Sequence, residues 1–96
     1  MRPDPLPELP RARGDLFYQD VSDGGVLFDP GKERMVVLNA TAAFVWTCCD
    51  GSHSIDQIAR ELADSLGHGA PDASRLVGDV ESSLHNFLRQ GLLEEA

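Results

Sequence analysis

Long apolar runs are missing from this sequence. None approaches the roughly 18 consecutive apolar residues that a membrane span requires, so no membrane partner is expected. The first thirteen residues hold four of the six prolines and no apolar segment, which argues against a signal peptide and leads to the expectation of a cytoplasmic protein. Cysteine is scarce, and its two copies, Cys48 and Cys49, are adjacent. A bridge between neighbours forces an unusual peptide geometry, so two free thiols in a reducing compartment are expected. Bases are also few. Eight Lys and Arg face sixteen acids, giving a net charge of −8. From residue 35 onward only Arg60, Arg75 and Arg89 oppose nine acids. Nucleic acids are held mainly by neutralising phosphates, which this composition does not do. A basic or apolar partner fits better, and no nucleic acid is expected.

Reactive constellations are absent too. Cys48, Cys49 and His53 lie close together, with His68 and His85 further off, but neither C-x₂₋₄-C nor H-x₃₋₅-H spacing occurs. No metal or other cofactor is expected. A cysteine nucleophile needs a base and an orienting group, and nothing in the sequence pairs either thiol with a particular histidine. Asp23-Gly24-Gly25 lacks the motif of a phosphate loop and the helix that should follow it. The carboxylates are scattered singly, as on a solvated surface. The expectation is a non-catalytic binding module, with one cysteine packed as a small hydrophobe.

What is present is one domain's worth of pattern. Ninety-six residues at 42% hydrophobic content make a modest core. Residues 1–13 read as a flexible, polyproline-biased arm, and residues 14–96 as the folded domain. Leu16, Phe17, Tyr18 and Val21 suggest a first strand. The turn signal Asp23-Gly24-Gly25 leads into a second at Val26-Leu27-Phe28. Asp29-Pro30-Gly31-Lys32 makes a tight connection to a third at residues 34–38. Asn39 caps a first helix that Asp50-Gly51 ends. Ser54 and Gln57 form a capping box for a second, in which Ile55, Ile58, Ala59, Leu62 and Leu66 recur at helical spacing up to Gly67. After a loop at 68–72, a third helix spans about residues 73–90, with Gly91 as its cap and Leu92-Leu93 as a short extended end. The expected fold is α+β and winged helix-turn-helix-like: a three-stranded antiparallel sheet followed by three helices.

Two segments carry more apolar surface than their elements need. Met35, Val36, Val37 and Leu38 are four apolar residues in a row, so one side of that strand points away from the sheet's own core. Either the third helix or the arm covers it, or it is an edge strand beside an apolar groove that accepts an extended peptide. Val77, Val80, Leu84 and Phe87 give the third helix a broad apolar face that suits the second reading. Trp46, spaced helically from Ala42 and Ala43, reads as core.

The run Leu38-Asn39-Ala40-Thr41-Ala42-Ala43, then Cys49-Asp50-Gly51, then Ser54-Ile55-Asp56-Gln57-Ile58-Ala59, resembles the PqqD family of peptide chaperones, also called precursor-peptide recognition elements. The ending Phe87-Leu88-Arg89-Gln90-Gly91-Leu92-Leu93 matches the family's close, and the resemblance covers about residues 15–95. One departure is Ala40, where the family often has an acid. The resemblance implies a winged-helix-like fold that holds the leader of a ribosomally made precursor peptide and presents it to a modifying enzyme. It implies that the leader adds to the third strand and lies against the third helix, with Met35, Val36, Val37 and Leu38 on one wall and Val77, Val80, Leu84 and Phe87 on the other. In pyrroloquinoline quinone biosynthesis the enzyme partner is a radical SAM enzyme; in lasso-peptide pathways it is a leader peptidase. The Gly-Gly-Val-Leu-Phe-Asp strand and the Phe-Val-Trp helix also look like the lasso-pathway proteins, so both branches stay open. Two other functions compete with leader binding. One is a DNA-binding regulator whose third helix, with only Arg75 and Arg89 against Asp79 and Glu81, enters the major groove. The other is a structural homodimer joined through the same apolar edge.

Overall fold

The computed structural model describes residues 6–67, 69 and 71–94. Three strands, β1 (Phe17–Val21), β2 (Gly24–Asp29) and β3 (Arg34–Asn39), precede three helices, α1 (Ala40–Thr47), α2 (Ile55–Leu66) and α3 (Ala73–Arg89). The sheet is an antiparallel meander of order β1-β2-β3, so β2 is central and both neighbours are edges. This is the expected winged-helix-like α+β architecture. The β1–β2 connection works because Gly24 and Gly25 have no side chains. A Cβ on Gly24 would sit 2.0 Å from the Leu38 carbonyl oxygen, and one on Gly25 would sit 2.4 Å from the Tyr18 ring. Both caps read from the sequence form: Asn39 Oδ1 accepts from the Ala42 N–H at 2.8 Å, and Ser54 and Gln57 close a reciprocal capping box.

α1 packs on one face of the sheet, and α2 and α3 pack on α1 and on each other on that side. Strand alternation sends Leu27 and Leu38 to that face, where they meet Val45 of α1 and the buried stripe Leu76, Val80, Leu84 and Phe87 of α3. Trp46 meets Phe87 edge-on with ring centroids 5.4 Å apart, which confirms the tryptophan as core. Both thiols are buried, so the core takes Cys49 as well as Cys48.

The N-terminal segment differs from the flexible arm expected. Residues 1–5 lie outside the described residues, but 10–13 are woven into the fold. The Ala12 N–H donates to the Cys49 carbonyl at 2.8 Å and the Arg13 N–H to the Leu92 carbonyl at 3.0 Å. In return the Pro10 carbonyl accepts from Gly51 and the Arg11 carbonyl from Glu94. Pro10 is buried. Its fixed φ suits an extended segment, and its missing N–H costs nothing where only its carbonyl is used. The expected arm of residues 1–13 therefore ends in a packed strap at 10–13, which also pairs Leu93 with Ala12.

A buried charge ties the sheet to the helical layer. Asp29 is 1% exposed; its Oδ1 accepts from the Gly31 N–H at 3.1 Å, which shapes the β2–β3 turn. Its Oδ2 lies 3.5 Å from Arg34 Nε and 3.8 Å from Arg13 Nη1. The same two guanidinium groups donate to the carbonyls of Gln90 and Gly91 at the C-terminal end of α3. Positive charge there also complements the helix dipole.

Candidate functional site

β3 is paired on one side only. Among the described residues no strand borders its other edge, so half of its backbone N–H and C=O groups face outward. Alternation then divides the four apolar residues expected as one wall. Met35 and Val37 project from the helix-free face and are 67% and 78% exposed. Val36 is half-buried against the core, and Leu38 is buried within it. Arg34 begins the strand and is held down at the end of α3 by its contact with Gln90.

The expected second wall is corrected by the same structure. Val80, Leu84 and Phe87 are fully buried, with Leu38 only 3% exposed, so none of these four side chains has surface to offer a peptide. The physical reason is packing: α3 supplies the apolar stripe that closes the core against α1 and α2. Val77 is half-buried, but it lines a hollow with Glu81, with Glu8 and Leu9 of the N-terminal segment, and with the start of α2. Another flank of α3 carries the polar residues Asp79, Ser83 and Asn86.

The helix-free face of the sheet gathers apolar residues that the sequence does not single out as a site. Register aligns Phe17 with Phe28 and Phe28 with Met35 in one row, and Gln19 with Val26 and Val26 with Val37 in the next. Phe17 is 65% exposed and Phe28 40%. Only the strand pairing, which sequence patterning left open, brings these residues together.

The α1–α2 loop gathers a polar cluster of Cys48, Asp50, His53 and Glu61. Cys48 Sγ lies 3.6 Å from Glu61 Oε2, and burial together with that carboxylate pushes its pKa up to about 11. Burial pushes Cys49 up to about 12. Both thiols therefore stay protonated, which makes them poor nucleophiles and poor ligands. His53 sits between Asp50 at 2.9 Å and Glu61 at 3.1 Å, and the hydrogen bond with Asp50 raises its pKa. Among the described residues no group of three or more His, Cys, Asp or Glu is placed to hold a metal ion; His68 lies outside them. No described helix is long and apolar enough to cross a membrane.

Residues 24–93 match the family described as "Coenzyme PQQ synthesis protein D (PqqD)". The chain belongs to the PqqD family. This PqqD-family chain is 32% identical over 96 residues to the "PqqA binding protein" of Methylococcus capsulatus (strain Bath), covering 99% of this chain and 94% of that one. Its fold matches the PqqD portion of Methylobacterium extorquens PqqCD, described as a stand-alone recognition element for ribosomally synthesised, modified peptides. There the TM-score is 0.76 at 23% identity over 99% and 100% of the two chains. TbiB1 in complex with the TbiA(beta) leader peptide has the same fold, with a TM-score of 0.73 at 15% identity over 90% and 96%. Lasso peptide synthetase B1 complexed with its leader peptide gives 0.72 at 20% identity over 91% and 99%.

Proposed function

We propose that this chain binds the leader segment of a ribosomally made precursor peptide by strand addition at β3 and presents it to a modifying enzyme. The observation that carries this reading is the open edge of β3, apolar at Met35 and Val37 and unguarded by charge. The outward backbone groups of residues 35–38 would supply main-chain hydrogen bonds. Alternate leader side chains would lie beside Met35 and Val37 on one face, and over Val36 on the other. The chain performs no chemistry in this scheme. It raises the effective concentration of the precursor at the enzyme by tethering. A relative named for binding PqqA, at 32% identity over nearly the whole chain, supports a PqqA-like precursor over a lasso precursor. The enzyme partner would then be of the radical SAM kind. The test is fluorescence anisotropy of labelled leader peptides from short reading frames beside this gene. Saturable binding at micromolar or tighter, lost on truncating the leader, is expected. No binding to any of them would remove the function while leaving the fold intact.

A further inference from the structure

The helix-free face of the sheet carries an apolar patch made of Phe17, Val21, Val26, Phe28, Met35 and Val37. With Phe17, Met35 and Val37 each more than three-fifths exposed, it shows on the order of 500 Å² of apolar surface, near the upper end for a single patch on a monomer. A standard protein interface takes about 800 Å² from each partner, so this patch alone supplies more than half of one side. We propose that this face docks the modifying enzyme through a surface that is apolar at its centre and basic at its rim. This rests on the leader-binding function proposed above and assigns that function a second surface.

Charge selects this occupant over a second copy of the chain. Residues 15–39 hold five acids and two bases; Asp29 is engaged with Arg34 and Asp15 with Arg13, which leaves Asp20, Asp23 and Glu33 against Lys32 alone. Exposed Asp23 and Glu33 stand at the turns on opposite ends of the patch. Two copies packed face to face would bring these acids together, each chain carrying −8 overall. A partner with Lys and Arg around an apolar centre meets the opposite sign.

Strand register adds a consequence for order of assembly. A leader strand paired with β3 places its alternate side chains next to Met35 and Val37, so it lengthens the Phe17–Phe28–Met35 and Gln19–Val26–Val37 rows by one residue each. The enzyme then meets a larger face on the loaded protein than on the empty one. By linkage, the enzyme tightens leader binding by the same factor that the leader tightens enzyme binding.

The experiment uses the full chain, a labelled synthetic leader and the purified modifying enzyme encoded beside the gene. Phe17→Ser changes the strand furthest from β3. It is expected to leave leader anisotropy unchanged while weakening enzyme binding at least tenfold. Hydroxyl-radical footprinting of the unaltered protein should show Phe17 and Phe28 protected by the enzyme and not by the leader. Enzyme affinity should rise at least fivefold when leader is present. Phe17 and Phe28 left unprotected, or no enzyme association at all, would overturn the proposal even where leader binding is normal. Protection already present in the isolated protein and fading on dilution would assign the face to a second copy and overturn it equally. Failure of leader binding with Phe17 and Phe28 still protected by enzyme would instead remove the leader function alone.

Discussion

The two edges of the sheet are built from opposite chemistry. β1 is the guarded edge. It carries Gln19 and Asp20, is flanked by Asp15 and Asp23, and holds the Asp20 carboxylate by a 2.5 Å hydrogen bond from Tyr18. Charge along an edge strand discourages pairing with another chain. β3 is the open edge. Its one charge, Arg34, is turned inward to Asp29 and to the Gln90 carbonyl, leaving Met35, Val36 and Val37 as its unpaired border. A protein at risk from edge pairing would protect both strands, yet this one protects only the edge to which no peptide strand is proposed to add. The open edge is also the better anchored of the two, since its first residue is fastened to the end of α3.

That anchoring gives the largest effect to test. Asp29→Ala would remove the buried carboxylate that holds the Gly31 N–H and lies beside Arg34 and Arg13, at a cost of about 2 kcal/mol. The matching change at the other edge, Tyr18→Phe, removes one exposed hydrogen bond and should cost no more than about 1 kcal/mol. Urea unfolding of both variants checks the contrast; equal losses would mean that the two edges are anchored alike. Next comes Val37→Asp, which puts a guard on the open edge. With Val37 78% exposed, stability should hold within about 0.5 kcal/mol, whereas leader affinity should fall at least tenfold. Gln19→Asp, at the aligned position on β1, should leave leader affinity unchanged. A Val37→Asp variant that folds and binds leader normally would place the site elsewhere.

The elements themselves were legible because each rests on local chemistry. Asn39, the Ser54–Gln57 box and Gly91 mark helix ends through hydrogen bonds made within a few residues. The candidate site was legible only in part, because face and register are not local. Four apolar residues in a row located β3, but only pairing with β2 decides that Met35 and Val37 point out while Leu38 points in. On α3 the periodicity locates an apolar stripe but does not say what covers it, and Val80, Leu84 and Phe87 are all taken up by the core. Val77 fell on the opposite flank because the helix's rotation is fixed by its packing on α2. The strap at residues 10–13 escaped notice because proline-rich segments read as solvated, and its partners, Cys49 and Leu92, lie far away in sequence.

A smaller effect comes from opening the guarded edge. Asp20→Val removes the carboxylate that faces along β1 and leaves a second unguarded border. Sedimentation should then show concentration-dependent self-association that the parent lacks, and a variant that stays monomeric throughout would mean charge is not what protects β1.

The smallest effect concerns pH, and it separates the α1–α2 loop from the edges. His53 is raised by its contacts with Asp50 and Glu61, so its contribution to stability is fully present below about pH 6.5, the unfolded value, and is lost as pH rises through the folded one. Asp50 is lowered, chiefly by hydrogen bonds from Ser52 and then from His53, so its contribution is fully present above about pH 3.9 and is lost as pH falls through the folded value. Both contributions coincide between about pH 4 and 6.5. Thermal melts should therefore show a slight decline in Tm from pH 6 to 8 that His53→Gln abolishes. Because His53 touches neither strand edge, leader affinity should stay level across the same range; a parallel fall that His53→Gln also abolishes would mean that the loop communicates with β3.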